Sequence, residues 1–155
     1  MKFKAKEDIE APIEYVFGVV SDFEALEKQA MRRGADVRRT DALEEPGEGM
    51  SWDIVFPFRG KTRALAVQTM QYAPPNRMSF DGRMHGIAGT FDVELLALSR
   101  GRTRMILEID LKPESLSARL LIQSVKLARG SINKRFQKRI ADFAKTMEDR
   151  YGRMA

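Results

Sequence analysis

The sequence predicts an α+β fold in which a curved antiparallel sheet wraps around one long C-terminal helix. From Ser115 to about Tyr151, apolar residues recur at spacings of three and four, which is typical of an amphipathic helix. Ahead of it, several segments alternate apolar and polar residues, as strands with one buried face do. Turn residues separate these segments at short, regular intervals, which favours an antiparallel meander. The predicted element order is β-α-α-β6-α.

The first fifty residues predict one strand, two short helices and a weak second strand. Phe3 to Glu10 alternates like a strand, and Pro12 then stands where a first helical turn tolerates proline. Ser21 to Glu24 fits a capping box with Ser21 as the cap, so a second helix is expected to begin there. Gly34 supplies its C-terminal signal, and residues 35–41 form the weak strand.

Five clearer strands follow a loop at residues 44–49. The predicted strands are 50–59, 62–72, 78–84, 91–95 and 105–111. Gly60, the Pro74–Pro75–Asn76 stretch, Gly86 and Gly101 interrupt them, and such residues mark turns. The last predicted element is the long helix, which at about 36 residues would extend about 54 Å. A helix of that length needs an equally long apolar surface beneath it.

Composition limits the class of protein and the chemistry. At 155 residues, with 43% hydrophobic and 32% charged residues, we expect one globular domain spanning residues 1–155. No apolar run suits a signal peptide or a membrane-spanning helix, so we expect a cytoplasmic location. Cysteine is absent, which excludes disulfides and thiolate chemistry, and His85 alone cannot supply the usual zinc ligands. We therefore predict neither a metal nor a cofactor.

The stretch from Ile9 to Asp22, IEAPIEYVFGVVSD, carries a resemblance to a known family. It resembles the opening of the START-like, or SRPBCC, superfamily, whose Bet v 1-like helix-grip fold matches the predicted element order over the whole chain. Within that superfamily the chain is most similar to the branch of polyketide cyclases and ubiquinone-binding proteins. The resemblance implies the fold and a cavity for an apolar ligand, but it does not imply one function.

Aromatic and methionine side chains dominate the apolar face of the predicted sheet. Ordinary core packing is the simpler interpretation, and the resemblance favours a ligand cavity instead. The predicted ligand-binding residues are Trp52, Ile54, Phe56, Phe58, Met78, Phe80, Met84 and Phe91 on strands, with Leu121, Val125, Arg129 and Asn133 on the long helix. Arg129 either meets a polar group of the ligand or extends along the edge of the apolar stripe into water.

No catalytic residue is predicted. His85 could serve as a general base, but its alternation places it opposite Met78, Phe80 and Met84, next to a glycine turn. A surface or turn histidine fits that position better. No nucleophile elbow or phosphate-binding glycine motif occurs.

The long helix carries most of the positive charge. From residue 115 to 155 there are ten Lys or Arg against three carboxylates, which leaves a net charge of −2 on the rest of a +5 chain. Leu116, Leu120 and Leu127 form a second apolar side on the first half of this helix. That side predicts a partner, a second subunit or a lipid surface, and the basic residues suit anionic lipid or RNA phosphates.

Three functions remain open from the sequence. The preferred one is non-catalytic binding or transport of a hydrophobic molecule such as a lipid, an isoprenoid quinone or a polyketide, in a cavity between the sheet and the C-terminal helix. The second is a polyketide cyclase or aromatase, which predicts ionisable side chains inside the cavity and gains support if Arg129, Asn133 and a tyrosine such as Tyr72 converge on one point. The third is an interaction protein whose basic helix acts on the ribosome, RNA or a membrane surface.

Overall fold

The computed structural model describes residues 1–154 and contains, within them, seven strands and four helices. The strands are β1 (Lys2–Ile9), β2 (Asp36–Arg39), β3 (Ser51–Phe58), β4 (Lys61–Ala73), β5 (Arg77–Met84), β6 (Ile87–Ser99) and β7 (Arg102–Pro113). The helices are α1 (Ile13–Val20), α2 (Phe23–Arg32), α3 (Leu116–Leu127) and α4 (Arg129–Met154).

All seven strands form one antiparallel sheet in the order β1-β7-β6-β5-β4-β3-β2. Strands β2 to β7 are therefore a simple meander, and β1 returns to pair with β7, with Phe3 opposite Ile109. The predicted α+β architecture and the meander are confirmed. Because side chains alternate across a strand, the residues that share the parity of Trp52, Met78 and Leu107 lie on the concave face.

The core lies between one end of this concave face, α1 and the middle of α4. Val16 and Phe17 of α1 are buried against the sheet, with Leu95 and Met105 beneath them and Met147 of α4 alongside. Ring contacts continue the packing: Phe17 meets Tyr72 with centroids 5.7 Å apart, and Tyr15 meets Tyr151 at 5.0 Å. One end of the sheet is thus filled with side chains.

The junction between α1 and α2 differs in one detail from the predicted capping box. Asp22, not Ser21, is the N-cap, and its Oδ1 accepts a hydrogen bond from the Ala25 amide at 3.2 Å. The Ser21 hydroxyl instead donates to the Phe17 carbonyl at 2.6 Å, closing α1. Both residues are good cap formers. Because the turn between the helices is tight, Ser21 caps the C-terminus of α1 and Asp22 caps the N-terminus of α2.

The predicted single C-terminal helix is wrong in one respect, because it is divided at Ala128. That residue leaves helical geometry at φ −102° and ψ 13°, so α3 ends there and the 26-residue α4 begins at Arg129. The two helices bury their apolar sides against different partners. Ala118 and Ile122 of α3 pack on Ile87 at one end of the sheet, whereas Phe136 and Ile140 of α4 join the main core.

Helix α4 covers the outer edge of β1. Arg129 Nη2 donates to the Lys2 carbonyl at 3.1 Å, and the Gln137 side-chain amide donates to the Lys4 carbonyl. Between them the Phe136 ring packs against Phe3, with centroids 6.5 Å apart. An edge strand otherwise presents free carbonyl groups to other chains, so these contacts occupy part of the β1 edge. Among residues 1–154, none of the helices combines the length and hydropathy that spanning a membrane requires.

Gly86 is required where the β5–β6 turn meets the start of α3. Its φ is +80°, and a Cβ at this position would overlap the side chain of Ser115, the N-cap of α3. We expect Gly86→Ala to lower the free energy of unfolding by about 1–3 kcal/mol, because it adds backbone strain and a steric clash. Urea denaturation monitored by circular dichroism measures the change.

Gly130→Ala is the matched control. Apart from its chain neighbours and its own helix backbone, no heavy atom of the described residues lies within 4 Å of the position that a Cβ would take there. Alanine favours a helix over glycine, so this change should stabilise the protein by up to about 1 kcal/mol. Equal effects from the two substitutions would contradict the role assigned to Gly86.

Candidate functional site

A cavity of about 520 Å³ lies between the concave face of the sheet and α2. Strands β2 to β7 form its floor, and the end of α1 together with α2 forms the opposite wall. The volume falls within the range of small-molecule sites, which is roughly 300–1,000 Å³.

The cavity wall is almost entirely apolar. Of the 23 residues that line it within the described chain, only Glu27, Asp81 and Thr90 carry polar side chains besides the indole of Trp52. Such a surface gains free energy by contact with an apolar molecule and offers few partners to a strongly polar one. No group of three or more metal-ligating side chains occurs in residues 1–154.

Four aromatic rings form the centre of the wall. Trp52 lies 5.5 Å from Phe23 and 6.3 Å from Phe80, and Phe80 stacks on Phe91 with centroids 6.1 Å apart. Trp52 Nε1 is buried and has no hydrogen-bond partner among the described residues. Because that nitrogen is occluded, the indole contributes apolar surface to the cavity. Recognition at this wall therefore depends on shape and apolar contact.

Helix α2 supplies a wall that the sequence analysis did not assign to the site. Phe23, Leu26 and Ala30 face the cavity, yet α2 has no fully buried residue. Phe23 packs against Trp52 and Phe80 of the sheet, and the cavity is the space that these contacts leave between α2 and the concave face. The spacing of these three residues is typical of an apolar helix face, but it does not show that part of the face borders a cavity.

Two glycines on the cavity floor contribute to its volume. Gly82 of β5 and Gly89 of β6 are directly paired in register, and both line the cavity. Their missing side chains let Leu65 and Leu111 lie close to the backbone, 3.3 and 3.1 Å from the positions where a Cβ would be. Any larger residue at this pair would occupy space inside the cavity.

Seven of the twelve residues predicted as ligand-binding line this cavity. They are Trp52, Ile54, Phe56, Met78, Phe80, Met84 and Phe91. All come from strands whose alternation was clear in the sequence, so their shared face followed from the period of two.

The other five predicted residues lie outside the wall. Phe58 ends β3 with the Arg59 guanidinium 5.6 Å from its ring, and Leu121 packs with the Ile87 cluster at the end of the sheet. Val125 is buried on α3, and Asn133 lies on α4; neither lines the cavity. Arg129 is held at the β1 edge, where it also lies 5.8 Å from the Phe3 ring.

The predicted position of the cavity, between the sheet and the C-terminal helix, is therefore corrected. No described residue of α3 or α4 lines it. The apolar stripe of α4 packs instead against β1 and the main core, and α2 forms the cavity wall opposite the sheet. His85 is exposed in the β5–β6 turn with φ +24°, away from the concave face.

An ion pair lies beside Trp52, outside the cavity lining. Arg39 Nε and Nη2 each donate to Asp41 at 2.7 Å, and the guanidinium lies 5.4 Å from the Trp52 ring. The Asp41 carboxylate also accepts from the Leu43 and Ser51 amides, at 3.0 and 2.9 Å. The Arg39 hydrogen bonds foremost, and then the two amides, hold the pKa of Asp41 well below its ordinary value.

Comparison with solved structures identifies the architecture. The protein TTHA0849 from Thermus thermophilus is similar at 18% identity over 97% of this chain and 96% of that one, with a TM-score of 0.64. The ZhuI aromatase/cyclase from Streptomyces sp. R1128 is similar at 14% identity over 94% and 93% of the two chains, also at 0.64. A START superfamily protein from Mycobacterium smegmatis is similar at 11% identity over 90% and 98%, with a TM-score of 0.57.

The chain has the START-like, or SRPBCC, fold. This confirms the fold that the Ile9 to Asp22 stretch implied. No protein-family model matches the sequence, and no curated protein matches it either. At these identities the START-like neighbours establish the fold alone, so the function must be argued from the cavity.

Asp41 makes the free energy of unfolding of this protein fall at acidic pH. The pKa of Asp41 in the folded protein lies below the ordinary value of 3.8. The ionised carboxylate therefore stabilises the fold fully at pH values above 3.8, and this stabilisation is lost as the pH falls below 3.8. We expect Asp41→Asn to lower the free energy of unfolding at pH 7. The difference in this free energy between variant and wild type should become smaller below about pH 4. Urea midpoints measured along a pH series test this.

Asp53→Asn is the control, because Asp53 pairs with Arg38 across 3.5 Å in an exposed position where ion pairs contribute little. A difference between Asp41→Asn and the wild type that stays constant from neutral pH into strong acid would contradict the assignment.

Proposed function

We propose that this protein binds an apolar small molecule in the cavity beneath α2, and that it carries or sequesters this molecule without converting it. The observation that carries the proposal is a 520 Å³ space whose wall is apolar at nearly every position. The START-like neighbours supply a precedent for the fold, including an aromatase/cyclase. A lipid, an isoprenoid quinone and a polyketide-like aromatic all meet the requirement for apolar surface.

The energetics favour a ligand of moderate size. A molecule that buries about 400 Å² of apolar surface gains roughly 10 kcal/mol, at about 25 cal/mol per Å². Association itself costs about 4 kcal/mol or more. The remainder corresponds to a dissociation constant on the order of 10–100 µM, which sets the concentration range for a binding experiment.

The geometry gives less support to a cyclase. That function would gain support if Arg129, Asn133 and Tyr72 met at one point in the cavity. Arg129 instead binds the Lys2 carbonyl, and Tyr72 packs against Phe17 in the main core. Among the residues described, the lining contains two ionisable side chains, Glu27 and Asp81, and Asp81 lies on a strand position that faces outward. The wall is suited to holding a molecule by contact.

Binding can be followed through Trp52, the single tryptophan of the chain. N-phenyl-1-naphthylamine is a neutral apolar dye that accepts excitation energy from tryptophan, so titrating it reports on occupancy of this wall. We expect Gly82→Val to weaken dye binding roughly tenfold or more, since the added side chain fills the floor of the cavity and removes apolar contact.

Ala66→Ile is the matched control. It also adds three carbons, but on the neighbouring strand and at an exposed position of the opposite face. Dye affinity should be unchanged in that variant. If the wild type shows no energy transfer, or if both variants bind the dye equally well, the cavity is not the binding site. Circular dichroism establishes that each variant is folded.

A further inference from the structure

Helix α3 is apolar on two opposite sides. Ala118, Ile122 and Val125 are buried, whereas Leu116, Leu120 and Leu127 are 75%, 61% and 92% exposed. On a helical projection these two sets are centred roughly 180° apart, so one protein surface cannot cover both. The exposed leucine side remains unburied although the helix is firmly packed.

The buried side of α3 rests on one end of the cavity. Ala118 and Ile122 pack against Ile87, and Met84 and Leu111 complete that cluster. The same three strand residues, Met84, Ile87 and Leu111, line the cavity. Helix α3 therefore lies between this end of the cavity and the surroundings of its exposed leucines.

The charged residues around the exposed leucines are all positive. From residue 115 to 141 the sequence contains seven Lys or Arg and no Asp or Glu. Arg119 and Lys126 are exposed on α3 itself and flank one side of the leucines. The nearest carboxylate before the helix, Glu114, is paired with Arg83 at 2.9 Å. The surface formed by Leu116, Leu120 and Leu127 with Arg119 and Lys126 is hereafter the α3 surface.

We propose that the α3 surface docks on an anionic lipid bilayer. Leucines that enter the boundary between headgroups and acyl chains lose their contact with water, and basic side chains beside them meet the lipid phosphates. A second copy of the chain suits the surface less well. Two α3 helices in contact would bring together Arg119 and Lys126 from each copy, and α3 has no carboxylate to neutralise them. Nucleic acid would use the basic residues and leave the leucines in water.

Docking in this orientation places the Met84, Ile87 and Leu111 end of the cavity next to the bilayer. Helix α3 then lies between the bilayer and the cavity, and an apolar ligand moving from one to the other would pass beside this helix. This consequence depends on the proposed carrier function, whereas the docking itself does not.

Co-sedimentation of the full chain with vesicles tests the proposal. We expect binding to phosphatidylcholine vesicles that contain about one-third phosphatidylglycerol, and little binding to phosphatidylcholine alone. Substituting Leu120→Ser together with Leu127→Ser should lower the partition coefficient roughly tenfold or more. Lys126→Glu should lower it roughly tenfold and make the remaining binding less sensitive to salt.

Matched controls lie at the opposite end of the β6–β7 pair. Leu96 and Leu98 are exposed near the end of β6, and Arg100 is exposed in the turn that follows. Leu96→Ser with Leu98→Ser, and separately Arg100→Glu, should leave vesicle binding unchanged. Because every substituted residue is exposed, the variants should retain the wild-type circular dichroism spectrum.

Three outcomes would overturn the proposal. They are absence of vesicle binding by the wild type, equal binding to both vesicle types, and wild-type binding by the double leucine variant. A concentration-dependent mass that the leucine substitutions abolish, without vesicle binding, would assign the surface to a second copy. Dye binding in the absence of vesicles is measured separately, so a failure of docking is distinguishable from a failure of the carrier function.

Discussion

The seven-stranded sheet has a larger concave face than its helices cover, and the remaining organisation follows from that constraint. Helix α4 packs along β1 and into the main core, where Met147 is fully buried. Helix α1 fills the space next to it with Val16 and Phe17. The remaining concave surface, from β2 to the far ends of β6 and β7, faces α2 and the end of α1. Since α2 contacts this surface only in part, through Phe23 and Ala30, the fold contains a cavity lined with apolar side chains instead of a continuous core.

Most of the architecture could be predicted from the sequence, because alternation and helical spacing are local patterns. The strand residues from Trp52 to Phe91 share one face of the sheet for the same reason, as period two fixes which side chains lie together, and their binding of a ligand stays a prediction. The role of the C-terminal helix could not be predicted in this way. An apolar stripe shows that a helix is covered, but Phe136 and Ile140 do not specify whether their partner is a sheet edge or a ligand.

The break at Ala128 and the contribution of α2 depend on tertiary packing. Alanine is a strong helix former, so its departure from helical geometry follows from the different packing partners of α3 and α4. Likewise Phe23 and Leu26 are ordinary apolar positions in the sequence. They become part of a cavity wall through their position opposite the strand residues, which are remote in the chain.

The paired glycines Gly82 and Gly89 give the cavity a property that a wall of large side chains would lack. An alanine, serine or valine at either position would displace the end of Leu65 or Leu111 by a few tenths of an ångström, because these flexible side-chain ends are the nearest obstacles. Substitution at these two sites would therefore yield a graded series of cavity sizes on one unchanged scaffold. Under the proposed function, the size of the ligand depends on these two paired positions, so single substitutions there change the size preference in small steps.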